Sequence, residues 1–316
     1  MINRENIASA TDFGLILFIP VLPFLYQFDY YFNQIFIAFF ISLALCFIRL
    51  ISLKKISISG IDIVLFAFLL VYILNVLLIR NGNLDELEYY KWGALIFIYI
   101  LARTFDRKKI DILWWAIVVS GLLQSIVAFL QDIDLFTSHH NYFKVVGYFS
   151  NPGLLGCYLA VSLSSALYLF IKRKNLYSRV FLSAAIVFIA YILVLSDSRA
   201  SWLACISGIS FIILNTQRRY YKYQSKLKNK IIYVLSGVSF IAIIIGGLYF
   251  YKKDSADARL LIWTVSKDII CDAPITGDGI NRFPAIYMNY QGEYFKKNPD
   301  SVFRDNSDDN TQAFNE

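Results

Sequence analysis

Long apolar runs separated by short polar segments make up most of the chain. The runs are roughly 17–22 residues long, enough to cross a hydrocarbon core as helices at about 1.5 Å per residue. Apolar residues follow one another continuously instead of alternating with polar ones, which excludes a β-barrel and predicts an all-α, polytopic membrane protein. About nine transmembrane helices are predicted, at about Thr11–Gln27, Tyr31–Ile48, Ile61–Ile79, Tyr89–Leu101, Ile110–Leu130, Gly153–Ile171, Val180–Leu195, Ser201–Leu214 and Ile231–Phe250.

Composition supports the same class. Hydrophobic residues make up 58% of the 316 residues and charged residues 17%, whereas soluble domains are about 25% charged. The first apolar run contains Pro20 and Pro23 and lacks a small-residue cleavage site, so we interpret it as a retained span rather than a signal peptide.

Basic residues are concentrated in alternate loops, which predicts the orientation. By the positive-inside rule the N-terminus of this multi-pass membrane protein is predicted to be cytoplasmic. The sequence pI of about 9.0 then reflects cytoplasmic loops and not a nucleic-acid surface. The loop residues on the predicted cytoplasmic side are Arg4, Arg49, Lys54, Lys55, Arg103, Arg107, Lys108, Lys109, Lys172, Arg173, Lys174, Arg179, Arg218, Arg219, Lys222, Lys226, Lys228 and Lys230.

The chain changes character after the ninth predicted span. Residues 1–251 are predicted to form a transmembrane domain, and residues 252–316 the polar, turn-rich start of a large outward-facing loop. Ile262, Val265 and Ile269 have helical spacing, which predicts an amphipathic helix lying on the membrane. The sequence stops within this polar loop, so we interpret it as truncated at its C-terminus.

Arg199 is the most informative charged residue. It lies between two apolar runs, on the predicted outer side, where basic residues are scarce. A guanidinium stays charged and is costly at membrane depth. One interpretation is a flanking charge that reaches the interface. The other is a ligand for a phosphate or pyrophosphate, with Ser198 donating a hydrogen bond and Asp197 orienting the guanidinium.

Three further residues are candidates for substrate binding. Arg259, just outside the ninth span, is either a solvated charge or an anion ligand near a helix N-terminus. Asn151 precedes Pro152 and is favoured as a helix cap, although it would also place backbone donors at the outer surface. Arg282 follows a glycine turn and is the weakest candidate, with a structural role favoured.

The two histidines, His139 and His140, are adjacent and lack carboxylates at metal-ligand spacing. One of them as a general base is conceivable. We predict no metal site and no cofactor, since nucleotide-binding and nucleophile-elbow motifs are absent from the sequence.

Three blocks in this order resemble the O-antigen ligase and O-antigen polymerase superfamily of bacterial membrane glycosyltransferases. The first block, residues 147–160, begins just before the sixth predicted span and runs into it. The second is the serine-arginine-x-x-tryptophan-leucine of residues 198–203. The third runs from Arg259 to Trp263 and continues through the proline-x-x-glycine-x-glycine of residues 274–279.

The resemblance implies a multi-pass protein of the bacterial inner membrane with about twelve spans in full. Its active site would face the periplasm, and residues 252–316 would be the start of a large periplasmic loop. It implies transfer of a glycan from undecaprenyl diphosphate onto an acceptor, in O-antigen or other surface polysaccharide assembly. The acceptor would be the lipid A core for a ligase or a growing lipid-linked glycan for a polymerase. Arg199 and Arg259 would hold the donor diphosphate as leaving group, and no metal would be required. Partners would be the lipid bilayer and lipid-linked glycans, not nucleic acid.

One departure from the family pattern concerns the general base. Ligases of the family carry a late histidine before an asparagine, and Phe314 occupies that position here. Either the base comes from elsewhere, or the chemistry is polymerase-like. The alternative function is a polysaccharide flippase or transporter, which the nearly charge-free spans and the long outer segment disfavour.

Overall fold

The computed structural model describes residues 4–27, 34–52, 58–78, 86–138, 140, 143–220, 253–274, 277–279 and 282–304. These residues form ten α-helices: α1 Arg4–Val21, α2 Gln34–Ser52, α3 Gly60–Leu78, α4 Glu86–Thr104, α5 Ile110–Asp132, α6 Pro152–Lys172, α7 Leu176–Leu195, α8 Arg199–Tyr220, α9 Lys253–Asp272 and α10 Phe283–Lys297. Short 3-10 helices follow α1 and precede α5, at Leu22–Gln27 and Arg107–Lys109.

Seven helical segments in the described ranges are long and apolar enough to cross a membrane: Glu5–Phe24, Ile35–Ser52, Gly60–Leu77, Arg107–Asp132, Pro152–Lys172, Leu176–Leu195 and Arg199–Thr216. The protein is therefore an all-helical, multi-pass membrane protein. The fourth predicted span is a helix, but Glu86, Glu88, Lys91 and Arg103 make α4 too charged to count among the seven. The ninth predicted span lies outside the described residues, so the total of nine stays a prediction.

The chain divides into two compact units. The first comprises Met1–Ile56 and Tyr90–Gln224, and contains α1, α2, most of α4 and α5 to α8. The second comprises Ser57–Tyr89 and Ser225–Glu316, and contains α3, α9 and α10.

In the first unit, α6 lies at the centre of a bundle and packs against α5, α7 and α8. Leu155, Leu159, Ile189 and Ile192 are fully buried in its core. This core contains buried aliphatic side chains from α6 and α7, so apolar faces that would otherwise contact lipid are covered by protein.

Small residues bring α6 and α8 into close contact. A Cβ on Gly156 would lie 2.6 Å from Ser201 Oγ, and a Cβ on Gly208 would lie 2.7 Å from Ser164 Oγ. The pairs Gly156–Ser201 and Ser164–Gly208 advance in the same direction along both helices, so α6 and α8 run parallel. Close approach through glycine and serine is how membrane helices gain packing energy without a hydrophobic driving force.

The bundle has two ends, which we name by a residue at each. At the Arg199 end, α5 and α7 finish while α6 and α8 begin. At the Lys109 end, α5 and α7 begin while α6 finishes. Asn175 starts α7 by accepting a hydrogen bond from the Tyr177 N–H at 3.0 Å.

A buried ionic cluster joins α1, α2, α4 and the 3-10 helix that precedes α5, at the Lys109 end. Asp12 Oδ1 lies 3.2 Å from Arg49 Nη1, and Asp12 Oδ2 lies 3.1 Å from Lys109 Nζ. The Arg49 guanidinium also donates to Thr104 and to the Ala8 carbonyl. Buried charges are tolerated when they are paired and hydrogen-bonded in this way.

In the second unit, α9 and α10 pack together as a helical hairpin. Its core contains Leu261, Ile262, Val265, Ile269 and Tyr287. The predicted amphipathic helix is therefore present, but α10, and not the membrane, covers the stripe of Ile262, Val265 and Ile269. That the helix lies on the membrane stays a prediction. A different face of α9 carries exposed apolar residues, namely Leu260, Trp263 and Ile270.

A hydrogen bond links the last residue of α9 to the middle of α10. The Tyr290 hydroxyl donates to Asp272 Oδ2 at 2.7 Å. This hydrogen bond is the main cause that raises the pKa of Tyr290 to about 12, so the hydroxyl keeps its proton at neutral pH.

Candidate functional site

The turn that carries Arg199 is short and tightly bonded. After α7 ends at Leu195, the Ser196 N–H donates to the Ile192 carbonyl at 2.9 Å and the Asp197 N–H to the Val194 carbonyl at 3.0 Å. Asp197 has φ of 51°, a left-handed conformation that aspartate adopts more readily than most residues. The chain therefore reverses within three residues, and α8 begins at Arg199.

Trp202 holds the first turn of α8 against the last turn of α7. Its Nε1–H donates to the Leu193 carbonyl at 2.9 Å, and its backbone N–H donates to the Ser198 carbonyl at 3.1 Å. The tryptophan of the serine-arginine-x-x-tryptophan block thus positions the start of α8, where Arg199 lies. The Arg199 side chain is half-buried.

The start of α6 lies directly beside the start of α8. Ser201 Oγ donates to the Gly153 carbonyl at 3.3 Å and lies 2.7 Å from Ser198 Oγ. A Cβ on Gly153 would lie 3.1 Å from Asn151 Oδ1 and 4.0 Å from Ser198 Oγ. The structure therefore brings Asn151 and Ser198 together with Arg199, although 47 residues separate the two helix starts in sequence.

Asn151 is the N-cap of α6. Its Oδ1 accepts from the Leu154 N–H at 2.9 Å, and Pro152 occupies the first helical position. The predicted capping role is confirmed. A contact between Asn151 and substrate stays a prediction.

Two parallel helix N-termini at one place favour an anion. The first four N–H groups of each helix have no partner within that helix, and the helix dipole adds partial positive charge there. Arg199 adds a full positive charge at the first residue of α8. The Arg199 end thus combines two partial positive charges with one guanidinium, beside the hydroxyl of Ser198.

Two glutamines of α5 hold the segment that precedes α6, and the sequence analysis missed both. Gln131 Oε1 accepts from the N–H groups of Val146 at 3.0 Å and Gly147 at 2.8 Å. Gln124 Oε1 accepts from the Tyr148 N–H at 3.1 Å. Gly147 has φ of 60°, and a Cβ there would lie 2.8 Å from Gln124 Oε1. The signal in the sequence was two buried amides seven residues apart, on one face of an apolar helix.

Arg259 and Arg282 belong to the second unit, so the pairing of Arg199 with Arg259 stays a prediction. Arg259 is exposed and lies well inside α9, which begins at Lys253. The expectation that Arg259 lies at a helix N-terminus is wrong, because the free N–H groups are confined to the first turn. Arg282 directly precedes α10, and its carbonyl accepts from the Ala285 and Ile286 N–H groups at 3.0 and 3.2 Å.

Of the two histidines considered as a general base, only His140 lies within the described residues. The His140 ring packs 4.8 Å from the Phe143 ring, between centroids. His139 and Phe314 lie outside the described residues. Within the described ranges there is no group of three or more His, Cys, Asp or Glu residues placed to hold a metal ion.

Comparison with known proteins identifies one family. Residues 184–307 match the family model described as O-antigen ligase. No curated protein and no solved structure matches the chain. The matched residues include Ser198, Arg199, Arg259 and Arg282, whereas Asn151 lies before them. A domain of this family at residues 184–307 implies glycan transfer at the membrane from lipid-linked substrates, in lipopolysaccharide or other surface polysaccharide assembly. This multi-pass helical membrane protein therefore carries an O-antigen ligase family domain at residues 184–307.

Proposed function

We propose that the protein transfers a glycan from undecaprenyl diphosphate to an acceptor hydroxyl, and that the donor diphosphate binds at the Arg199 end. The observation that carries this proposal is the parallel start of α6 and α8 beside a half-buried arginine. A cation at a helix N-terminus opposes the helix dipole, and a bound polyanion removes that opposition.

The reaction requires stabilisation of a leaving diphosphate. The acceptor oxygen forms a bond to C1 of the donor sugar, and the bond between C1 and the diphosphate oxygen breaks. The electron pair leaves with the diphosphate, and the acceptor proton goes to a base. Arg199 and the N–H groups of α6 and α8 would stabilise the charge that grows on the diphosphate, with Ser198 as a further donor. Arg259 is proposed as a second diphosphate ligand, without a metal ion.

The proposed topology places this end in the periplasm and the N-terminus in the cytoplasm, with residues 252–316 as the start of an outer loop. Two cysteine substitutions, made separately in a C157S/C271S background, test the orientation. Leu135, 68% exposed near the Arg199 end, and Tyr177, 84% exposed at the Lys109 end, are the positions to substitute. An impermeant maleimide added to intact spheroplasts is expected to label L135C and spare Y177C. The reverse pattern would overturn the proposed topology.

Transfer itself is tested with the full chain in proteoliposomes, using a labelled undecaprenyl diphosphate glycan. Two acceptors, a lipid A core and a second lipid-linked glycan, distinguish ligase from polymerase activity. R199K and R259K are expected to abolish transfer, while the matched controls R107K and R304K keep wild-type rates. Transfer is expected to persist in a metal chelator. Normal transfer by R199K and R259K would overturn the donor-site assignment. Flipping of labelled donor without transfer by wild-type protein would favour the transporter.

A further inference from the structure

A second charged surface lies at the Lys109 end and has no part in the proposed transfer. It consists of Lys172, Arg173, Lys174, Arg179 and Asp111, which we call the Lys172 cluster. These residues belong to the end of α6, the start of α7 and the three-residue connection between them, and to the first turn of α5. The cluster therefore lies where three helices of one unit reach the membrane boundary.

Two cations share one carboxylate in this cluster. Lys172 Nζ lies 2.7 Å from Asp111 Oδ1, and Arg173 Nη2 lies 3.2 Å from Asp111 Oδ2. Lys174 and Arg179 are exposed basic residues of the same surface. Four positive charges and one negative charge leave a surplus that a bound anion would neutralise.

Aromatic rings place these cations at interfacial depth. Lys172 Nζ lies 5.5 Å from the centroid of the Tyr168 ring, and Arg179 Cζ lies 4.7 Å from that of Phe170. Trp114 packs against Tyr168 at a centroid distance of 6.4 Å. Tryptophan and tyrosine concentrate at the level of lipid headgroups, so the cations lie at the depth of lipid phosphates.

Exposed apolar side chains adjoin the cluster on the same helices. Ile112 in α5, Ile171 in α6 and Val180 in α7 are exposed, with Val180 61% accessible. An acyl chain has apolar surface to follow immediately beside the basic residues. Basic residues beside an apolar surface favour a lipid over a free phosphate ion, because a phosphate ion has no apolar part to contact that surface.

We infer that the Lys172 cluster binds the phosphate of an anionic phospholipid in the leaflet at the Lys109 end. Lysine contributes a point charge and arginine a planar pair of donors, and the acyl chains lie against α5, α6 and α7. The predicted orientation makes this the cytoplasmic leaflet, where anionic headgroups attract basic residues beside a span. This inference does not depend on the proposed glycan transfer.

Native mass spectrometry of the full-length chain with added lipid tests the inference without any transferase substrate. The probes are phosphatidylglycerol, phosphatidylcholine and inorganic phosphate. Wild-type protein is expected to retain phosphatidylglycerol in preference to phosphatidylcholine, and inorganic phosphate is not expected to displace it. The K172Q/K174Q/R179Q variant is expected to bind phosphatidylglycerol at least about tenfold more weakly, since each basic residue near an anionic surface strengthens attraction by roughly fivefold.

The matched control K144Q/K267Q/K296Q removes the same charge from exposed positions elsewhere and is expected to bind within about twofold of wild type. D111N keeps every cation and removes the competing carboxylate, so it is expected to tighten binding. Equal retention of phosphatidylcholine, displacement by phosphate alone, equal loss in the control variant, or weaker binding by D111N would each overturn the inference.

Discussion

Arg49 and Arg199 are both arginines at the ends of membrane helices, yet their surroundings differ in kind. Arg49 lies in the last turn of α2, is 5% exposed, and contacts Asp12, Thr11, Thr104 and the Ala8 carbonyl. Arg199 is the first residue of α8 and is half-buried beside the start of α6. The Arg49 charge is neutralised by its own chain and favoured by the negative end of its helix. The Arg199 charge lies at the positive ends of two helices.

The comparison separates a structural cation, Arg49, from a proposed binding cation, Arg199. A buried arginine that fixes a fold needs its anion within the protein, as Arg49 has in Asp12. An arginine at the N-termini of two helices lies where the helix dipoles also favour an anion, so the dipoles and the guanidinium together would stabilise a bound external anion. The four predictions that follow test this difference, from the largest expected effect to the smallest.

The largest effect is expected from R49Q, a substitution at the structural arginine. It leaves the buried carboxylate of Asp12 with Lys109 alone and frees the acceptors at Ala8 and Thr104, so a loss of about 3 kcal/mol in stability is expected. Unfolding in detergent, followed by thermal shift or denaturant titration, measures it. D12N/R49Q is expected to recover part of the loss. A stability within about 0.5 kcal/mol of wild type for R49Q would contradict a structural role for the cluster.

R199Q is expected to have the opposite profile. Glycan transfer should fall at least about 100-fold, as when one preorganised donor to a developing charge is removed. Stability should be unchanged or rise by about 0.3–1 kcal/mol, because a cation is removed from a helix N-terminus. Transfer assays and unfolding on the same preparations measure both. A loss of stability as large as that of R49Q would place Arg199 among the structural arginines.

G156A tests whether the closeness of the two helix starts matters. The added Cβ would lie 2.6 Å from Ser201 Oγ and 2.9 Å from Ser201 Cβ, so rotation of the hydroxyl cannot relieve the clash and the helices must separate. A loss of about 1–3 kcal/mol and a reduced transfer rate are expected. G292A in α10 is the matched control, since nothing lies within 4 Å of its added Cβ. G292A should gain roughly 0.5–1 kcal/mol from helix propensity. Equal behaviour of the two variants would refute the close-packing argument.

D197G is expected to have the smallest effect on stability. Glycine adopts the φ of 51° at Asp197 without strain, so the turn before α8 should form as in wild type, with a change of less than about 1 kcal/mol. The substitution removes the carboxylate predicted to orient the Arg199 guanidinium. Transfer should therefore fall while unfolding is nearly unaffected. An unchanged rate would show that Asp197 serves the turn alone.

Several elements were predictable because their causes are local. The start of α6 follows from Asn151-Pro152, and the break between α7 and α8 follows from a polar string between apolar runs. The start of α9 was harder to locate. Residues 253–256 carry no apolar periodicity, yet the structure extends the helix to Lys253, which moves Arg259 away from the N-terminus.

The partners of buried polar residues were not predictable. Asp12, Arg49 and Lys109 come from three helices far apart in the chain, and each alone is typical of a flanking charge at a span end. Gln124 and Gln131 were overlooked for the same reason, because an amide in an apolar helix acquires its role only from the segment that it contacts. Ile262, Val265 and Ile269 have a periodicity that predicts a buried face but does not say whether lipid or α10 covers it.

The sequence by itself determined the class of protein, seven of the nine predicted spans and the position of Arg199 between two of them. Within lipid the backbone can hydrogen-bond only to itself, so a long apolar run must form a helix. The length and the ends of that helix depend on residues close together in the sequence. The alternation of successive spans makes α6 and α8 parallel, but the tertiary structure alone decided that their N-termini lie side by side. That arrangement depends on glycine and serine contacts between helices distant in sequence, and it turns a costly arginine into the centre of a candidate anion site.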